Sequence, residues 1–164
     1  MVSTCSVAVC QELVRRLRDS AKFSKLIDSN KGTEIKITCR PCTREGPEGG
    51  ARAVLLDSTP LEVALCTNRL GEKDIEEVLV HELVHVYDHN NQRCNLMTCE
   101  GLAFSEVRAA REAECSRFFP CQWLKTQCIK YNATRATANL FPEDAAKCVE
   151  SVLKEAIADR APFE

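Results

Sequence analysis

The chain contains three histidines, His81, His85 and His89, and all of them fall within nine residues. His81 and His85 stand four apart around Glu82, in the run His81-Glu82-Leu83-Val84-His85. On a helix, side chains four apart lie one turn above each other on the same face, so both imidazoles reach one cation. Imidazole suits zinc, and a catalytic zinc keeps a position open for water. The metal lowers the pKa of that water towards neutrality and polarises a carbonyl. Glu82 sits between the ligands, where a carboxylate takes the water's proton and later delivers it to a leaving amine. The spacing therefore predicts zinc-assisted peptide hydrolysis, with His81 and His85 on the metal and Glu82 as general base. The bland alternative is a buried helix that spells the pattern by chance. The strongly periodic apolar residues around the run argue against it.

A third metal ligand has three candidates. His89 continues the four-residue spacing, but a straight helix carries it about 6 Å further along the axis from His85. Asp88 suits the role of an orienting carboxylate that fixes an imidazole tautomer. Glu106 is the best placed: it opens Ser105-Glu106-Val107-Arg108-Ala109, about twenty residues beyond His85. Its competing role is a solvated surface carboxylate. Glu112 and Glu114 read as surface charges, with Arg108 or Arg111 as partners.

These residues need elements to hold them. Leu13, Val14, Leu17, Ala21 and Leu26-Ile27 recur at helical spacing, which predicts one amphipathic helix over Val9 to Asp28, stopped by Asn30-Lys31-Gly32. Glu34 to Cys39 alternates like a half-buried strand, and Pro41 to Gly50 reads as a loop. Ala51 to Asp57 and Leu61 to Thr67 read as two strands joined by Ser58-Thr59-Pro60. A long buried helix is predicted from Glu72 to Asn90, with further helices over Leu102 to Phe118, Gln122 to Ala138 and Pro142 to Ala158. Pro142 followed by two carboxylates is a good helix start. The expected architecture is a single α+β domain over residues 1–164, a small antiparallel sheet packed with helices.

Composition narrows the setting. The 164 residues, 28% charged and 45% apolar, are ordinary for a soluble globular protein. A net charge of -2 and no Lys/Arg cluster give no nucleic-acid footprint. Apolar runs such as Ala53-Val54-Leu55-Leu56 are far short of the roughly 20 residues that span a bilayer. Any membrane association is expected to be peripheral. Eleven cysteines suggest disulfides and an oxidising compartment, with an odd thiol left over. Met1-Val2-Ser3-Thr4-Cys5 has no features of a signal peptide or matrix presequence. The expectation is a compartment reached without a cleaved presequence, or a chain already trimmed. Disulfide candidates are Cys39, Cys42, Cys66, Cys94, Cys99 and Cys115. A rival reading pairs Cys39-Arg40-Pro41-Cys42 with Cys94 and Cys99 as a structural zinc site, but the second spacing is too wide for a clean ribbon.

The run His81 to His89, followed by Phe104-Ser105-Glu106-Val107-Arg108-Ala109-Ala110 and Glu114-Cys115, resembles the mitochondrial inner-membrane metalloproteases that help assemble ATP synthase. Some members of that family are also labelled Ku-binding proteins. A Cys-x-x-Cys ending the first strand, Cys66 ending the third and the closing Ala161-Pro162-Phe163 extend the resemblance over nearly the whole chain. It implies a zincin-like fold of the glutamate type. It also implies residence in the intermembrane space, peripheral to the inner membrane, and import helped by cysteine oxidation. The implied work is maturation of an ATP synthase membrane-sector subunit precursor and assistance in assembling that sector. The resemblance places the catalytic glutamate at Glu82 and the metal histidines at His81 and His85. Asn90 to Leu102 departs from the aromatic, histidine-bearing segment expected there. The alternative function is a non-catalytic assembly chaperone that retains the metallopeptidase fold. An intact Glu82 favours catalysis, because a pure binding module has no need of a water-activating carboxylate.

Overall fold

The computed structural model describes residues 4–30, 32–45, 49–117 and 121–164. Parts of the expected loop at Pro41 to Gly50, the stop at Lys31 and the helix end at Phe118 lie outside the described residues. The chain divides into two compact units, Met1–Leu83 and Val84–Glu164.

The first unit opens with α1 (Val7–Leu17) and α2 (Ala21–Ser29). Ser6 caps α1, its hydroxyl accepting from the Val9 amide. The single helix expected over Val9 to Asp28 is thus two helices. Arg18 closes α1, and Ser20 adopts an extended conformation before α2 begins. The apolar spacing runs through the break because each helix buries one face, Cys10 and Val14 on α1, Phe23 and Leu26 on α2. Periodicity alone does not register one extended residue.

Three strands follow, β1 (Ile35–Arg40), β2 (Ala53–Leu56) and β3 (Leu61–Cys66), in the order β1-β3-β2. The hairpin β2–β3 is antiparallel, pairing Val54 with Ala64 and Leu55 with Val63. β1 lies on the other edge of β3 and runs parallel to it, pairing Ile37 with Val63 and Cys39 with Leu65. The sheet is therefore mixed, where an antiparallel one was expected. β2 stands between β1 and β3 in the chain, so the two are separated by far more than the tight turn that only antiparallel neighbours can use. Central β3 buries Val63, Ala64, Leu65 and Cys66 completely. Two disulfides fix this unit: Cys10–Cys39 ties α1 to β1, and Cys42–Cys66 ties the chain beyond β1 to the end of β3.

A 3-10 turn at Glu72–Asp74 leads into α3 (Ile75–Asn90), and the division between the units falls within that helix. The second unit continues with α4 (Cys99–Glu112), α5 (Gln122–Thr137) and α6 (Ala145–Ala158). α6 begins three residues after Pro142, which lies in a preceding turn. Its core joins Ala103, Val107 and Ala110 of α4 to Ile129 and Ala133 of α5 and to Val149 and Ala156 of α6. Disulfides Cys99–Cys148 and Cys115–Cys128 flank that core. Among the described residues no helix is long and apolar enough to cross a membrane.

Candidate metal centre

Glu72, Asp74, Glu76 and Glu77 precede or open α3, where carboxylates complement the positive end of the helix dipole. Asp74 also accepts from the Gly71 amide at 3.0 Å. Ile75, Leu79, Leu83, Val84 and Val86 are then fully or almost fully buried. A helix hydrophobic on most sides is one enclosed by protein. His81 and Glu82 are half-buried on it, His85 is 8% exposed and Asp88 is 0% exposed. His89 stands exposed in the last turn and lies outside the ligand group described next.

α4 brings Glu106 to the histidines. Thr98 caps this helix by accepting from the Gly101 amide, so it starts at Cys99 and not at Leu102. Gly101 is required by that entry: a Cβ there would lie 2.0 Å from the Asn95 carbonyl oxygen. One ligand atom from each of His81, His85 and Glu106 lies within 4.8 Å of the others. His85 Nε2 is 3.5 Å from Glu106 Oε1. Bonds of about 2.0–2.1 Å to a tetrahedral zinc place neighbouring ligand atoms about 3.4 Å apart. Two imidazoles and a carboxylate are a donor set that suits zinc, and the His85–Glu106 pair already stands at nearly that separation.

Behind His85 lies a buried polar chain. His85 Nδ1 is 2.7 Å from Ser105 Oγ, and that hydroxyl donates to Asp88 Oδ2 at 2.8 Å. Arg108 Nη2 lies 3.2 Å from Asp88 Oδ1, while its Nη1 is 2.7 Å from Asp159 Oδ1. Arg108 also donates to the Ala161 carbonyl and is only 1% exposed. Burial pushes the Asp88 carboxyl above the usual carboxylate range, opposed by the Arg108 guanidinium and the Ser105 hydrogen bond. Arg111 donates to the carbonyls of Ala156, Ile157 and Asp159, closing the end of α6. It pairs as well with Glu112, whereas Arg108 turns inward to Asp88 and Asp159. Ser105 is absent from the residues singled out by sequence. Its one signal there is its place directly before Glu106.

The cysteines separate cleanly. Cys39, Cys42, Cys66, Cys99 and Cys115 are bridged, with Cys10, Cys128 and Cys148 as partners that spacing did not point to. Cys94 is a correction: its thiol is free, as are those of Cys5 and Cys121. Burial raises the Cys94 pKa to about 11, with the Asp88 charge adding to the effect. A structural zinc site at Cys39 and Cys42 is excluded here, because both sulfurs are spent in separate disulfides.

Comparison with known proteins adds to this geometry. The peptidase M76 family matches residues 6–164. The chain is 27% identical over 174 aligned residues to the mitochondrial inner membrane protease ATP23 homolog of Xenopus laevis, covering 94% of this chain and 72% of the relative. To the mitochondrial inner membrane protease ATP23 of Scheffersomyces stipitis it is 36% identical, covering 62% of this chain and 48% of the relative. To the Homo sapiens homolog it is 26% identical, over 94% of this chain and 68% of that protein. The chain thus spans between about half and three quarters of these relatives' lengths. No solved structure matches it.

Proposed function

The chain belongs to the peptidase M76 family, and from that premise we propose that it is a zinc-dependent endopeptidase centred on His81, Glu82, His85 and Glu106. The observation that carries the reading is the convergence of His81, His85 and Glu106, from two helices, on one point. These three residues would hold the zinc. When bound, the ion would supply a polarised carbonyl and a water of near-neutral pKa. Glu82 follows His81 directly on α3 and is half-buried, so its carboxylate retains access to a substrate. It accepts the proton of the attacking water and passes it to the leaving amine nitrogen, the work of a general base that turns general acid. Glu106 adds a negative charge that two neutral imidazoles lack.

The relatives are named as mitochondrial inner membrane proteases, and the chain is read as working there too, from the intermembrane space and peripheral to the membrane. Four disulfides support an oxidising compartment of that kind. The proposed substrate is the precursor of an ATP synthase membrane-sector subunit, whose assembly the protein would also assist. No nucleic-acid partner is proposed.

Glu82→Gln tests this directly. Gln is nearly isosteric but cannot accept the proton, so peptide cleavage should fall roughly 10²–10⁴-fold. Zinc content and melting temperature should stay unchanged, and cells carrying the variant should accumulate the uncleaved subunit precursor while still assembling some enzyme. Full cleavage by Glu82→Gln would show that another group is the base.

A further inference from the structure

A serine hydroxyl has one proton to donate, and that of Ser105 goes to Asp88 Oδ2 at 2.8 Å. Toward His85 Nδ1, 2.7 Å away, Ser105 Oγ can then only accept. A neutral imidazole carries a single N–H, so the proton must sit on Nδ1, leaving the lone pair on Nε2. Nε2 is the nitrogen that lies 3.5 Å from Glu106 Oε1, on the side where the ligand atoms gather. Asp88 is held in this arrangement by Arg108 at 3.2 Å, itself anchored by Asp159 at 2.7 Å. Ser105, Asp88 and Arg108 are all buried. None of them can exchange its partner for water without the site opening.

We infer that Ser105 is a positioning residue that locks His85 in the Nδ1–H tautomer, with Asp88 and Arg108 fixing the direction of its hydrogen bond. The inference rests on the reading of His81, His85 and Glu106 as a zinc centre. Outer-shell partners of this type change metal affinity by about 10–100-fold when removed. Asp88 does not reach His85 alone; the hydroxyl is the relay.

The test uses the full chain labelled with 15N-histidine, whose three histidines give a spectrum simple enough to assign. In the zinc-free parent, above the pH where imidazole titrates, His85 should show the Nδ1–H tautomer. Ser105→Ala should move it towards the Nε2–H form that free imidazole prefers. The same substitution should weaken zinc binding roughly 10–100-fold, read by chelator competition. Ser105→Thr keeps the hydroxyl and should restore both readings. An Nε2–H tautomer in the parent would overturn the inference whatever the variants do. So would parental tautomer and zinc affinity in Ser105→Ala. Failure of the underlying metal centre is seen separately: the parent would then bind no zinc, or bind it equally well as His85→Ala.

Discussion

The two faces of α4 are stabilised by different physics. One face presents Ala103, Val107 and Ala110 to α5 and α6, a dry contact of small side chains flanked by two disulfides. The other presents Ser105 and Arg108, polar side chains as deeply buried as the alanines, while Glu106, three residues after Ala103 and four before Ala110, sits at the border of the apolar stripe. Burying charge costs free energy unless partners compensate it, and a buried ion pair is weak evidence of stability. The apolar, cross-linked face therefore supplies rigidity, and the polar face spends some of it on holding a carboxylate and an imidazole in place. The contrast explains why both ends of this helix are pinned: Cys99 opens it and Cys115 lies just past its end.

The largest expected effect comes from the apolar face. The disulfides close loops with separations of 49 and 13 residues, for which loop entropy gives about 4 and about 3 kcal/mol respectively. Replacing all four cysteines by Ala should lower the unfolding free energy by an amount near the whole stability of a typical domain. Denaturant titration measures it, and a loss below about 1 kcal/mol would mean that packing alone clamps the helix.

On the polar face, Arg108→Met should cost about 3–5 kcal/mol, because it leaves the buried Asp88 charge with only the more distant Arg93, at 4.0 Å, as a cation. Arg108→Met combined with Asp88→Leu should recover much of that loss, since the double variant leaves neither charge of this pair buried. If the single substitution is as mild as the double, the pair contributes no strain and the contrast between the faces fails.

A smaller effect depends on pH. Burial works against the Asp159 carboxylate, yet its hydrogen bond from Arg93 and the Arg108 charge together hold its pKa below the ordinary range. A folded-state value below the unfolded one gives stability that is present above pH ~4 and lost as pH falls through the folded value. Melting temperatures of the parent and Asp159→Asn should thus differ near neutrality and converge in acid. A constant gap across that range would show that the asparagine disturbs packing and not charge.

The grouping of His81, His85 and Glu106 was legible in the sequence because its signal is local. His81 and His85 stand out by their spacing on one helix, and Glu106 by its distance of about twenty residues beyond them, although it sits in the middle of α4 and not at its start. What escaped the reading is non-local. Ser105 matters only because Asp88 and His85 meet its hydroxyl from another helix, and a serine inside a helix carries no mark of that. The parallel pairing of β1 depends on which edge of β3 it occupies, a choice absent from the alternation of Glu34 to Cys39. Cysteine pairing is worse still, since ten paired cysteines allow on the order of 10³ connectivities; Cys94 looked no different from Cys99 until the bridge to Cys148 was seen. Hidden as well was the break at Ser20, where one extended residue interrupts an apolar stripe that continues on either side.

The proposed hydrolysis requires His81, His85 and Glu106 to form one zinc centre. Elemental analysis of the purified full chain after zinc loading and desalting tests it most directly. About one zinc per chain is expected, lost in His81→Ala and in His85→Ala, weakened in Glu106→Gln and retained in Glu82→Gln. An ion that survives both histidine substitutions, or a parent chain that retains no zinc at all, would contradict it.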